Sequence, residues 1–251
     1  MRSRDGSPIR ALHAGFHKTG SSFLQRRIFP NIPDVCYLGS PSLEKAKPEK
    51  HRKSSRVELL SSEAACGYPY PLTKPFSVDT LLANVRLYSI QKVFLFQREL
   101  SSWAASLYFQ TLNEGRWWTP EEFIRANREA LLTWRDAPKQ IEFALAEAGV
   151  AFRCFSYEGM KQNSQATVDQ VTDFLGVGRV VVSEDSINQS YYGGRTIWAY
   201  RTLNRASALP GFRQMTRALS FSPRGVMQRR RGPLVNWLEN SSKLRLNSLD
   251  L

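Results

Sequence analysis

Gly15-Phe16-His17-Lys18-Thr19-Gly20-Ser21-Ser22 is the stretch on which the fold turns. An apolar run, Ile9 to Ala14, precedes it, and an amphipathic run, Phe23 to Phe29, follows it. Strand, glycine-rich turn and helix in that order form a cradle for phosphate. Successive backbone N–H groups converge at the helix N-terminus, where the dipole favours anions. The two glycines keep the G-x-x-x-x-G spacing of a Walker A loop. The next two positions, Lys then Ser or Thr in that loop, are here Ser21 and Ser22. The lysine lies inside the turn, at Lys18. The loop can hold a phosphate group but lacks the arrangement that takes Mg-ATP.

A second stretch, Lys92 to Gln97 (KVFLFQ), has the aromatic and β-branched content of a buried strand. Arg98 follows at its end, and a helical stretch runs from Glu99 to Gln110. A guanidinium at a strand end offers planar, paired donors to a dianion. Ser106 stands eight residues beyond Arg98, two helical turns along. A third stretch, Glu58-Leu59-Leu60-Ser61-Ser62-Glu63, reads as a strand that ends in two small hydroxyl residues and a carboxylate. Such a carboxylate serves as a base only where it reaches the attacking oxygen. His17 is the rival base, since an imidazole titrates near neutrality. His13, inside the first strand run, reads as a structural histidine.

Together these stretches resemble the sulfotransferases that use 3'-phosphoadenosine 5'-phosphosulfate (PAPS). His17-Lys18-Thr19-Gly20-Ser21-Ser22-Phe23 is similar to the P-K-S-G-T-T-W type loop of that family. The resemblance implies that Lys18, Thr19, Gly20, Ser21 and Ser22 bind the 5'-phosphosulfate end, with Lys18 at the oxygen bridging sulfate and phosphate. His17 belongs to the same loop and is a candidate for cofactor binding as well as for the base, and Phe23, another cofactor-binding candidate, stands where the family often has an adenine-contacting Trp. It further implies that Arg98 and Ser106 contact the 3'-phosphate. Ser61-Ser62-Glu63 resembles the S-S-E strand end of bacterial and carbohydrate-directed members, which implies Glu63 as base. Val171 to Val177 looks like the family's late "v-x-x-F-L-G-v" piece, and Ile187-Asn-Gln-Ser190 resembles its "i-N-x-S" segment. The cytosolic members' R-K-G-x-x-G-D loop is absent. Tyr191-Tyr-Gly-Gly-Arg195 is the only Gly/Arg-rich loop in a comparable place, so Arg195 is the candidate to replace its charge.

Composition fits one α/β domain. The chain has 251 residues, of which 42% are hydrophobic, enough for a sizeable core. The expected organisation is a single domain over residues 1–251, with a family-like core at about 9–190 and a basic, mostly helical region at about 191–251. No apolar run is long enough to span a membrane, and no secretory signal is visible before the strand at Ile9. Cys36, Cys66 and Cys154 are scattered, as expected for reduced thiols. The expected compartment is the cytoplasm, with peripheral contact at an anionic membrane surface as an alternative. The net charge of +13 favours anionic ligands. Much of it lies in a loop from Lys45 to Lys53 and in Arg213 to Arg245, which includes Arg229, Arg230 and Arg231.

Elsewhere strands and helices alternate. Val35 to Leu38 is extended, and Phe76 to Tyr88 is helical. Thr119-Pro-Glu-Glu122 is a capping box opening a helix through Trp134. Asp136 to Ala148 reads as a separate helix closed by Gly149. Val150 to Tyr157 is a strand, and Thr167 to Leu175 a helix ended by Gly176. Aromatic residues Trp103, Tyr108, Trp117 and Trp118 are candidates for a cleft or for the core. The expected fold is a P-loop-NTPase-like three-layer α/β sandwich with a central parallel sheet. The expected activity is in-line transfer of the sulfuryl group of PAPS to a hydroxyl of a carbohydrate or glycolipid, without a metal. A P-loop kinase and a non-catalytic, basic polyanion-binding module are the alternatives.

Overall fold

A computed structural model describes residues 7–39, 55–67, 76–113, 115–182, 201, 202 and 205. The chain divides into two compact units, Met1–Glu99 with Glu129–Ile187, and Leu100–Arg128 with Asn188–Leu251. The first unit holds a five-stranded sheet of β1 (Ile9–His13), β2 (Val35–Tyr37), β3 (Val57–Ser61), β4 (Lys92–Gln97) and β5 (Ala151–Ser156). The strand order is β2-β3-β1-β4-β5, and every pairing is parallel. The α/β class expected from the sequence is therefore the observed one.

The three central strands, β3, β1 and β4, are buried on both faces, as strands of parallel sheets are, whereas the edge strand β5 is largely exposed. Ile9 and Ala11 of β1, Val57 and Leu59 of β3, and Phe94 and Phe96 of β4 join one cluster with Leu24, Ile28, Val168, Val171 and Leu175. Leu12, Leu60 and Val93, which share the opposite face by register, are equally buried. The connection from β1 runs toward β2, whereas those from β3 and β4 run the other way. Right-handed crossovers then place their helices on opposite faces. Outgoing connections diverge between β1 and β4, so the crevice for a ligand opens at the carboxyl ends of those two strands.

The helix after the first glycine loop starts as α1 (Ser21–Phe23). It continues as a π turn over Leu24–Ile28 and a 3-10 turn over Phe29–Asn31. α2 (Val78–Leu87) is capped by Ser77, whose side chain accepts from the Thr80 N–H. α3 (Leu100–Asn113) belongs to the second unit. There the Tyr108 hydroxyl donates to the Trp118 carbonyl (2.9 Å), and the Tyr108 and Phe123 rings lie 5.6 Å apart. Trp103 and Tyr108 are core residues, while Trp117 is exposed.

The two helices expected between Thr119 and Ala148 form one helix, α4 (Pro120–Glu147), with Pro138 inside it. The capping box is present, with Thr119 and Glu122 exchanging both hydrogen bonds. The interior break fails because the Asp136 carboxylate pairs with the guanidinium of Arg135 (2.9 Å) instead of capping a new helix. One turn before the proline, the Gln97 side chain donates to the Arg135 carbonyl (3.0 Å). An interior proline removes one donor and costs about 3 kcal/mol or more, yet α4 runs through Pro138. After β5 come α5 (Tyr157–Gln162) and α6 (Ser164–Leu175), the latter closed by Gly176 in the left-handed conformation. Among the described residues, Cys36, Cys66 and Cys154 form no disulfide. Among the described residues, no helix is long and apolar enough to cross a membrane.

His13 is fully buried. Its Nδ1 bonds the Ser61 hydroxyl (2.8 Å), and its ring stands among Phe29, Phe94 and Phe96. Burial drives its pKa down from 6.5 to about 4. The unfolded chain therefore binds this proton at a higher pH than the folded one, and stability rises with pH between those values. Taking the protein from pH 7 to pH 5 is expected to remove about 2 kcal/mol through this residue. Urea unfolding at the two pH values measures the loss. His13→Met should abolish most of it; an unchanged loss in that variant would place the effect elsewhere.

Candidate functional site

The loop from Gly15 to Ser22 leaves β1 at its carboxyl end. Lys18 and Gly20 both have positive φ, 63° and 83°. Left-handed residues interleaved with right-handed ones turn successive N–H groups to one side and make an anion-binding concavity. Lysine in that conformation costs on the order of 1–2 kcal/mol, so something must hold it. The Arg98 guanidinium donates to the Lys18 carbonyl (3.1 Å). Arg98 itself lies over the Tyr157 ring, 4.7 Å from its centroid. The cation that ends β4 is thereby joined to the cation of the loop that ends β1.

The loop is also tied from within. Thr19 and Ser21 are buried, and both hydroxyls donate to the Phe16 carbonyl. They shape the turn, whereas Ser22 is exposed beside them. Phe23 is half-buried against the core cluster. The Gly20 carbonyl accepts from the Phe23 and Leu24 N–H groups (2.9 and 3.2 Å), which starts the helix directly after the loop.

Gly20 cannot be replaced freely. A Cβ there would stand 2.5 Å from the Met160 methyl and 3.3 Å from the Tyr157 ring. α5 therefore backs the loop closely. Gly20→Ala is expected to lose about 1–2 kcal/mol of stability from the left-handed backbone alone. Further loss should follow from moving Met160. Thermal unfolding measures the first effect. Calorimetric titration with 3'-phosphoadenosine 5'-phosphate should show weakened binding; wild-type values in both would mean that α5 yields and the loop is not confined.

Glu63 lies in the turn just after β3, the strand beside β1. His17 and Glu63 come together: with its proton on Nδ1, the imidazole donates to Oε2 of Glu63. The two side chains are 13% and 23% exposed, shielded yet reachable. Burial pushes the Glu63 carboxyl up, but the hydrogen bond from His17 and the other interactions around the carboxylate outweigh that and hold it below the usual carboxylate range. The residues set against each other as rival bases are thus a bonded pair.

Ser106 lies half-buried on α3, in the second unit. Arg195, the Tyr191 to Arg195 loop, Ile187 to Ser190, the Lys45 to Lys53 loop and the basic run from Arg213 to Arg245 lie outside the described residues. Tyr157 and Met160 were missed in the sequence. The available signal was an aromatic residue at the carboxyl end of the expected strand, with an apolar partner three positions on. Among the described residues, no group of three or more His, Cys, Asp or Glu side chains could hold a metal ion.

No protein-family model matches the chain, and no curated protein matches it. Among solved structures, it is similar to a sulfotransferase from Alicyclobacillus acidocaldarius, with 15% sequence identity and a TM-score of 0.48 over 89% of this chain and 100% of that one. It is also similar to mouse sulfotransferase SULT7A1 complexed with PAP, with 15% identity and a TM-score of 0.46 over 99% of this chain and 84% of that one.

Proposed function

We propose that this chain is a PAPS-dependent sulfotransferase acting on a hydroxyl of a carbohydrate or glycolipid. The observation that carries this is the hydrogen bond from Arg98 to the Lys18 carbonyl. It couples two cationic strand ends where the strand connections diverge, around a loop without the Walker lysine. That spacing of positive charge suits a nucleotide with phosphate groups at both its 5' and 3' sides.

The residues fit such a nucleotide. The left-handed Lys18 and Gly20 open the amides of the loop, and the closeness of Met160 and Tyr157 to Gly20 leaves room for backbone alone at that point. PAPS, when bound, supplies an activated sulfuryl group. Lys18 neutralises charge that develops on the leaving oxygen, the loop amides and Ser22 hold the 5' end, and Arg98 holds the 3'-phosphate. Catalysis then rests on positioning and on charge stabilisation. The acceptor's proton passes to the His17–Glu63 pair. An aliphatic hydroxyl needs such a base, and the Ser61-Ser62-Glu63 strand end is the feature that favours a sugar acceptor. The cytoplasm is the proposed compartment.

Calorimetric titration with 3'-phosphoadenosine 5'-phosphate without metal, with ATP and magnesium, and with an oligonucleotide tests the cofactor. Binding of the first and weak binding of the others is expected. Tight Mg-ATP binding alone would make the chain a kinase; oligonucleotide binding alone would make it a polyanion-binding module. Transfer of labelled sulfate from PAPS across sugar and glycolipid acceptors tests the substrate class.

A further inference from the structure

We propose that His17 and Glu63 act as one unit, in which Glu63 fixes the imidazole through Nδ1 and Nε2 of His17 removes the acceptor's proton. This assignment rests on the sulfotransferase function proposed above. It reverses the expectation that Glu63 is itself the base.

The geometry divides the two roles. Oε2 of Glu63 is occupied by the His17 Nδ1–H, and the Ser21 hydroxyl lies close to the same carboxylate. Glu63 also sits against the loop backbone. A Cβ on Gly15 would come within 3.2 Å of the Glu63 Cα, so the backbone from which the carboxylate springs is packed against the loop. A carboxylate that accepts hydrogen bonds and is held below its usual range is a poor proton acceptor but a good anchor. Bonded at Nδ1, the imidazole keeps its lone pair on Nε2, and a neutral imidazole of defined tautomer is a suitable base near neutrality. His17 directly precedes Lys18, so base and leaving-group cation are neighbours in one loop. Among the described residues, the charged and titratable groups of this region include Glu63 from the turn after β3, buried His13 from β1, whose charge would bear on Glu63, Lys18 next in the chain, and Arg98, which bonds the Lys18 carbonyl.

The step balances. The acceptor oxygen forms a bond to sulfur as the bond from sulfur to the bridging oxygen breaks. That electron pair stays on the departing 5'-phosphate beside Lys18. The acceptor proton moves to Nε2, and the resulting imidazolium is neutralised by Glu63. The proton leaves to water after product release.

The test uses the full-length protein with 15N-labelled histidine. Long-range proton–nitrogen spectra report which ring nitrogen carries the proton. Three histidines are present, and His17→Asn assigns the signal. The neutral His17 ring is expected to be protonated at Nδ1 with a lone pair at Nε2. Glu63→Gln should turn it into a mixture of tautomers while the affinity for 3'-phosphoadenosine 5'-phosphate changes less than threefold. A merely structural glutamate would leave the tautomer unchanged. With PAPS and octyl glucoside, His17→Asn should lower kcat by roughly 100-fold or more, and Glu63→Gln by at least about tenfold, with little change in KM for PAPS. A neutral ring protonated at Nε2 overturns the proposal. So does a His17→Asn enzyme that keeps its turnover while Glu63→Gln is inactive. Failure of 3'-phosphoadenosine 5'-phosphate to bind the wild type overturns the sulfotransferase function instead, and the ring-nitrogen spectrum then still decides the pairing.

Discussion

Lys18→Ala is expected to lower turnover of PAPS by roughly 100- to 1,000-fold, about 3–4 kcal/mol of transition-state stabilisation. Affinity for 3'-phosphoadenosine 5'-phosphate should fall much less, because the charge met by the ammonium develops only as the bridging bond breaks. The backbone of Lys18 is left-handed at φ 63°, and its carbonyl is held by Arg98, so the side chain leaves the loop in a fixed direction. Lys18→Gly supplies a second view. It removes the same amine and also lifts the steric penalty of the left-handed backbone. It should therefore be as inactive as the alanine variant and no less stable. Single-turnover rates and unfolding midpoints of both variants make the comparison. Turnover near that of the wild type in either would remove Lys18 from the chemistry.

Arg98→Ala is expected to weaken 3'-phosphoadenosine 5'-phosphate by about 2–4 kcal/mol, since a charge-assisted contact to a dianion is lost. Adenosine 5'-phosphosulfate, which lacks the 3'-phosphate, should lose only about 1 kcal/mol, the worth of one hydrogen bond to the Lys18 carbonyl. Arg98→Lys should not restore binding. An ammonium cannot spread flat over Tyr157 while donating to a carbonyl and a phosphate at once. Calorimetry on the two ligands decides. Equal losses for both would mean that Arg98 serves the loop and not the 3'-phosphate.

Much of the scaffold was legible in the sequence because its central strands are short apolar runs separated by turn and helix signals. KVFLFQ became β4 over the same residues, Lys92–Gln97, and the helix before Gly176 ended where a left-handed glycine ends it. The single α4 was not legible. Pro138 and Asp136 look like a break until the carboxylate is seen bonded to Arg135. The site was legible as three separate stretches but not as a constellation. His17 and Glu63 stand 46 positions apart, and only the pairing of β1 with β3 brings their turns together. Nothing local to either residue signals that they share a proton. Tyr157 was hidden for the same reason: its place beneath Arg98 depends on β5 lying beside β4.

The order of strands has a consequence for how the chain reaches its native state. β1 is central, and neither neighbour is near it in sequence. Arg10 on β1 bonds the side chain of Gln91, 81 positions on, and β3 starts nearly fifty residues later. No ladder in this sheet can close as a hairpin. Folding must therefore begin with loop closures whose entropy is met before any pairing rewards them, and high contact order of this kind places folding toward the slow end of the range for domains of similar stability. On a ribosome adding about 5–20 residues per second, the central strand waits on the order of 4–16 seconds for β4. For all of that interval one edge of this apolar strand lacks its partner, and until β3 is made neither edge has one, which leaves it open to pairing with other chains.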